Sequence, residues 1–390
     1  MPYAASLSTI PDATQAAEQI CREALGQLQN EIPDLALVFY SPHHVDDGAS
    51  LARTVYNRLG GCPVLGVLGE SIIGTSREVE DKPAISLWCA SWGSRVGVHP
   101  FHLTLGETPD GPSLFGWPDA LFENDLNNAL MLAFGDPYTF PVSELFLPTL
   151  NEDYAGLRVI GGMSSLPGRA GPSTLFKNGE LCDTGAVGVL LTGEIKARTV
   201  VSQGCRPVGR PLIVTKCREN VILELGGEPP LLYLQSLLND LSEPDRRLAQ
   251  GGLLLGVAVS EYRETFERGD FVIRNLMGID PKSGAIAVTD RVRVGQTVQF
   301  QLRDANAATE DLQQLLRQDL AKNPLPKATL LFSCNGRGTR MFITPNHDVE
   351  IIQKQTGVLP LAGFFAAGEL GPIGGRNFIH GFTASIALFE

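Results

Sequence analysis

Residues 361–376 read LAGFFAAGELGPIGGR, and the fold can be worked out from where that stretch changes character. Positions 361–367 are apolar without interruption, the pattern of a strand covered on both faces. Gly368-Glu369-Leu370-Gly371-Pro372 then break the run, and Gly374-Gly375-Arg376 follow. Glycine admits positive φ and close approach, while Pro372 stiffens the exit. A carboxylate and a guanidinium are thus expected at the end of a central strand.

The same pattern stands near the start of the chain. Residues 35–40 form an apolar run closed by Ser41-Pro42. Ala49, Leu51, Ala52, Val55, Tyr56 and Leu59 then recur at helical spacing until Gly60-Gly61. A second apolar run, 64–68, leads into Gly69-Glu70. Strand, short helix, strand is a βαβ unit and implies parallel pairing. Residues 63–70, PVLGVLGE, match 360–369, PLAGFFAAGE, and the strand before the latter, 328–332, ends at Ser333. Looser echoes lie at 158–165 and 253–261. A repeated unit implies related halves, with Glu70 and Glu369 at equivalent strand ends.

The expected class is therefore mixed α/β (α+β mixed): two pseudo-symmetric lobes with βαβ units and mixed parallel and antiparallel sheets. Residues 84–90 and 96–103 read as an antiparallel pair, 104–118 as a surface loop, and 164–172 as another. Asn178-Gly179 marks a hairpin. Strands are expected at 212–217, 221–225, 253–259, 271–277, 285–288 and 297–302, and helices at 229–241 and 307–320. The Pro- and Gly-rich stretch 204–211 is the natural boundary between modules 1–205 and 206–390.

Composition narrows the function classes. The chain of 390 residues has net charge −12 and no basic run, which argues against nucleic acid and anionic membrane surfaces. No apolar stretch reaches membrane-span length, and residues 1–13 lack the features of a signal peptide. The seven cysteines include no C-x-x-C pair, so a cytoplasmic protein with reduced thiols is expected. His43-His44 and Asp46-Asp47 lack a third ligand at metal spacing, and no metal or cofactor is expected. Phosphate-loop, dinucleotide and G-x-S-x-G signatures are absent.

What remains is a cluster of polar residues at strand ends. Glu369 and Arg376, with Gly368 and Gly371 between or beside them and Asn377 adjoining, carry both charges that an amino acid needs. Ser333, Cys334 and Asn335, followed by Arg337, are expected as the floor, and Glu70 and Ser164 belong to the corresponding position in the other half. Each has a plainer reading: the glutamates as loop caps, Arg376 as a surface ion pair, and Cys334 as an inert buried thiol. Motifs alone favour a binding protein over an enzyme.

These residues resemble the FIST family of sensory modules. The C-terminal likeness rests on Ser260-Glu261-Tyr262, Phe271-Val272-Ile273-Arg274 with Gly278-Ile279-Asp280, Cys334-Asn335-Gly336-Arg337-Gly338, and Gly363-Phe364 through Pro372. The N-terminal likeness rests on Phe39-Tyr40-Ser41-Pro42, Gly66 through Gly74, Arg77-Glu78-Val79-Glu80, and Gly161-Gly162-Met163-Ser164-Ser165. Val67-Leu68-Gly69 is apolar where the family often carries a Thr-containing turn. The resemblance implies an N- and a C-terminal FIST module that bind a small ligand, an amino acid or related polar metabolite, and signal through a protein partner. The alternatives are an enzyme using Cys334 or Glu70 and Glu369, and a protein-interaction scaffold.

Overall fold

A computed structural model describes residues 2–123, 125–166, 174–261, 265–266 and 269–390. Most of the loop expected at 164–172 and the motif residues Tyr262 and Arg263 lie outside the described residues. The chain is mixed α/β and forms two compact units. One comprises residues 1–201, 313–379 and 384–390; the other comprises 202–312 and 380–383. Modules 1–205 and 206–390 are divisions of sequence, and the compact units are cut elsewhere.

The larger unit holds the repeat, in three copies rather than two. Both expected βαβ units are present: Leu35–Tyr40 runs parallel to Val64–Leu68, and Ala328–Cys334 to Leu361–Ala366. A third parallel pair joins them, Leu130–Gly135 with Arg158–Met163, where the sequence offered only the echo at 158–165. In register, Phe39, Phe134 and Phe332 face Val67, Gly162 and Phe364. Each pair is flanked by an antiparallel return strand, Ile85–Ala90, Ala186–Gly193 or Thr383–Phe389. Beyond each return strand lies one further strand, Tyr3–Ser8, Val96–Thr108 or Ala197–Gln203.

What completes each sheet is a hairpin from another repeat. Ile72–Gly74 with Arg77–Val79, from the first repeat, pairs onto Leu361–Ala366 of the third. Leu175–Lys177 with Glu180–Cys182, from the second, pairs onto Val64–Leu68 of the first. Glu369–Ile373 with Arg376–His380, from the third, pairs onto Arg158–Met163 of the second. The exchange is cyclic, so none of the three sheets is complete without a neighbour.

Close packing, against the paired strand's backbone at Gly161 and Gly363 and against the Phe176 ring at Gly66, goes with a glycine common to the three copies. Gly66, Gly161 and Gly363 occupy one register position, beside Val38, Ala133 and Leu331. A Cβ on Gly363 would lie 1.7 Å from the Leu331 carbonyl oxygen, far inside contact distance. The Asn178-Gly179 hairpin is as expected, with both residues at positive φ. Two expectations fail. Residues 104–118 are largely a hairpin, Val96–Thr108 with Gly111–Phe115. Ile85–Ala90 and Val96–Thr108 do not pair, because they belong to different repeats.

The smaller unit is an antiparallel sheet that closes on itself. Leu253–Ala258 pairs with Phe271–Ile279 on one side and Thr297–Arg303 on the other, and the ladder returns through Leu212–Arg218, Val221–Leu225 and Ile286–Val288. Val214, Ile222, Leu255, Val298 and Phe300 fill it, with Leu234 and Leu237 of helix Pro230–Asp240. The echo at 253–261 is thus no fourth repeat. Among the described residues, no helix is long and apolar enough to cross a membrane.

Phe39, Phe134 and Phe332 are fully buried and mutually packed, with centroids 5.8, 6.1 and 5.6 Å apart. Phe332→Ala removes one side of that cluster, and a loss of about 3–5 kcal/mol is expected. Urea unfolding followed by tryptophan fluorescence checks this; a loss within experimental scatter would mean that the cluster is not the core of the repeat.

Candidate functional site

The end of strand Ala328–Cys334 leads into a loop that returns to helix His347–Thr356. Ser333, fully buried and alternate to the core-facing Phe332, donates from Oγ to Asp348 Oδ2 at 2.8 Å. Asp348 lies in the first turn of the helix, where a carboxylate complements the helix N-terminus. Arg337 closes a two-pronged pair with it, Nε to Oδ2 at 2.9 Å and Nη2 to Oδ1 at 2.7 Å. His347 Nδ1 lies 2.8 Å from Oδ1. The guanidinium lies 5.1 Å from the centre of the Phe342 ring, which stacks on His347 at 3.4 Å. Arg337 and Asp348 are essentially inaccessible, at 0% and 1%.

The first repeat's hairpin supplies the opposing face. Glu78 N–H donates to Asn346 Oδ1, and its Oε1 accepts from the N–H groups of Asp348 and Val349 at 2.9 and 3.0 Å. Glu80 accepts from Thr339 N–H and, at 2.6 Å, from Thr339 Oγ1. Glu70 accepts from Arg340 Nη2, while Arg340 Nη1 donates to Asn335 O at 2.9 Å. Three carboxylates of one repeat therefore grip one loop of another. Burial and the neighbouring Asp348 push the Glu78 carboxyl up to about 8. Burial alone would raise Asp348 too, but the Arg337 charge and the His347 contact hold it well below the usual range. Burial opposes the Arg337 charge, yet Asp348 keeps it firmly protonated.

Of the residues expected from sequence, Ser333, Cys334, Asn335, Arg337 and Glu70 come together here. Ser164 does not: its Oγ bonds Thr174 Oγ1 at 2.8 Å, and it is the adjacent Ser165 Oγ that accepts from Glu70 N–H. Gly368, Glu369, Gly371, Arg376 and Asn377 belong to the hairpin seated on the second repeat. Glu369 is fully buried there, and the exposed Arg376 lies beyond the Gly374-Gly375 turn. Strand rise separates their backbones by ~13 Å, too far to clasp the two charges of one amino acid. Asn377 is an internal clamp, bonded to Val159 N–H, Leu157 O and both polar atoms of Asn151. Nor are Glu70 and Glu369 equivalent: register puts Ser165 and Ala367 at the position of Glu70, and Ile72 at that of Glu369.

Glu78, Glu80, Arg340, His347 and Asp348 were not legible as site residues. Arg77-Glu78-Val79-Glu80 entered only as part of the N-terminal likeness, and only the hairpin exchange reveals what its carboxylates meet.

Known proteins can now be set beside this geometry. A model of the FIST N domain matches residues 34–228, and one of the FIST C domain matches 231–372. An uncharacterized protein of Mycobacterium bovis is 41% identical over 390 residues, covering 100% of this chain and 99% of the relative. An uncharacterized protein of Mycobacterium tuberculosis is 40% identical over 390 residues, covering 100% of both.

The Glu78 shift has a definite sign. The folded protein holds a proton that the unfolded chain releases above the ordinary carboxyl pKa. Its contribution is fully present below about pH 4.5 and is lost as pH rises through about 8. Asp348 acts oppositely, stabilising above the unfolded carboxyl range and losing that as pH falls. Glu78→Gln keeps an oxygen acceptor for the helix and removes the titration. Thermal unfolding between pH 6 and 9 should decline in the parent and flatten in the variant; parallel curves would refute the assignment.

Cys334 is 6% exposed, and Gly336 N–H points at its sulfur from 3.5 Å. Native thiol labelling at Cys334, read by peptide mass spectrometry at neutral pH, should be much slower than in the unfolded chain. Rapid stoichiometric labelling would instead mark a reactive nucleophile.

Proposed function

The chain belongs to the FIST family, whose domains are sensory, ligand-binding modules of signal transduction, and from that premise we propose that it senses a small zwitterion of the amino-acid kind at Glu70 and Arg340. The observation that carries this reading is the ion pair between them. Arg340 has 54% of its side chain exposed, whereas Glu70 has 11%. A guanidinium fork accessible to solvent therefore rests on a carboxylate recessed at a strand end. An amino acid inserted between them exchanges one internal pair for two, its carboxylate on the Arg340 fork and its ammonium on Glu70. The Asn335 carbonyl, which accepts from Arg340 Nη1, adjoins the same point.

The reading also supplies a route for signalling. Glu70 and Arg340 come from different repeats, so a ligand that parts them changes how the first repeat's hairpin is held on the loop. A signalling partner would read that difference through the hairpin or the neighbouring helix His347–Thr356. The buried Arg337–Asp348 pair gives the loop a rigid base, because separating such partners costs several kcal/mol, on the order of 3–5.

A thermal-shift screen of the common amino acids and their near relatives tests the proposal. A ligand at a hundred times its dissociation constant adds about 2.7 kcal/mol of stability, which for a chain of this size raises the melting temperature by roughly a few degrees. Arg340→Ala should abolish the response to carboxylate ligands, and Glu70→Gln should weaken it chiefly for those with an ammonium group. Hits that keep full affinity in both variants would place the ligand elsewhere.

A further inference from the structure

At the opposite ends of the same strands, the three repeats meet around a cavity of about 250 Å³. Three equivalent hydrogen bonds frame it. Ser91 N–H donates to Pro2 O at 2.7 Å, Glu194 N–H to Arg95 O at 3.0 Å, and Glu390 N–H to Lys196 O at 3.0 Å. Each joins the end of a return strand to the start of the strand beyond it, so the cavity is the far end of the pseudo-threefold arrangement. One repeat places proline at the rim and the other two place cations, Arg95 and Lys196. The residue entering the first parallel strand shows a similar choice. It is Asp34 in the first repeat and Lys327 in the third, donating from N–H to Ala90 O and Phe389 O respectively.

We propose that this cavity binds a small oxyanion, a carboxylate- or phosphate-bearing metabolite, on Arg95, Lys196 and Lys327. All three side chains are exposed, and none is ion-paired with an acid among the described residues. Three cations against one unpaired acid around one concavity, in a chain of net charge −12, leave a local positive excess that favours an anion. Two acids also line it, and they do not cancel the cluster. The Glu390 side chain is held by Arg198, leaving Glu194 as the acid at the rim without an ion pair among the described residues. The wall is aromatic and fixed: Trp92 Nε1 donates to Tyr3 Oη at 2.9 Å, and Tyr3 Oη donates to Glu390 O at 3.3 Å. Trp88 and Phe389 pack behind them, 5.6 and 5.9 Å from the Tyr3 ring. An anion seated here has Trp92 beside it, which supplies a reporter.

Titration of the intact chain with inorganic phosphate and with citrate, followed by tryptophan fluorescence, tests the site, with sodium chloride at matched ionic strength as control. A saturable change absent from the chloride series is expected, and it should be lost in Trp92→Phe. In Lys196→Ala/Lys327→Ala the dissociation constant should rise by about tenfold or more, the equivalent of ~1.4 kcal/mol. These lysines are exposed and outside the core, and an unchanged melting temperature confirms that the variant folds. Phosphate responding alone identifies a phosphate-type site, and citrate alone a carboxylate-type site. A response equal to that of chloride, or one untouched by the lysine variants, overturns the proposal. Arg340→Ala should leave this titration unchanged, which separates its outcome from that of the amino-acid site.

Discussion

Phe39, Phe134 and Phe332 hold one register position in three strands, and each ring packs on the other two. Phe364, on strand Leu361–Ala366 of the third repeat, stacks against Phe39 at 5.6 Å. Rings of this size bring most of the buried apolar area at the junction, and their packing contributes beyond area alone. They also set how closely the repeats approach. Strand ends at the junction are joined by backbone hydrogen bonds between repeats, including Ser165 N–H to Leu68 O, Phe365 N–H to Ser71 O and Ala367 N–H to Met163 O. That leaves the polar backbone of the junction engaged, and side-chain chemistry is displaced to its flanks.

Hairpin exchange decides what each flank contains. In the third repeat, Ser333 and Arg337 meet Asp348, and the first repeat's Glu78 closes the group. The matching positions in the first repeat are Tyr40 and His44, both fully buried. Burial pushes the His44 imidazole down, which favours its neutral form. The second repeat has Gly135 at the first of these positions, and the Asn151–Asn377 clamp that holds the third repeat's hairpin lies at the other end of the strand, on Leu157 and Val159. One backbone arrangement thus carries a charged group in the third repeat and a buried tyrosine and imidazole in the first. The ion pair in only one of them follows from the side chains that the neighbouring hairpin brings.

Local pattern was a good guide wherever the physics was local. Apolar runs of strand length became strands in both βαβ units, and Asn178-Gly179 made its turn. It failed where a residue's role depends on what another segment brings to it. Glu369 and Arg376 lie seven positions apart in sequence, and a tight loop would join them; a hairpin instead extends between them and sends their side chains to different environments. Glu70 and Arg340 are 270 positions apart, and neither suggests the other.

The sequence by itself determined the mixed α/β class, two of the three repeats, the family and the strand-end loop at 333–337, because periodicity and turn chemistry act over a few residues. Tertiary structure alone decided the third repeat, whose sequence kept little beyond small residues and a strand, and the cyclic exchange that completes every sheet. It decided the partners of the candidate site as well. Carboxylate and guanidinium meet across the fold when hairpin pairing, which is driven by backbone hydrogen bonds and apolar packing, carries one repeat's charges onto the next.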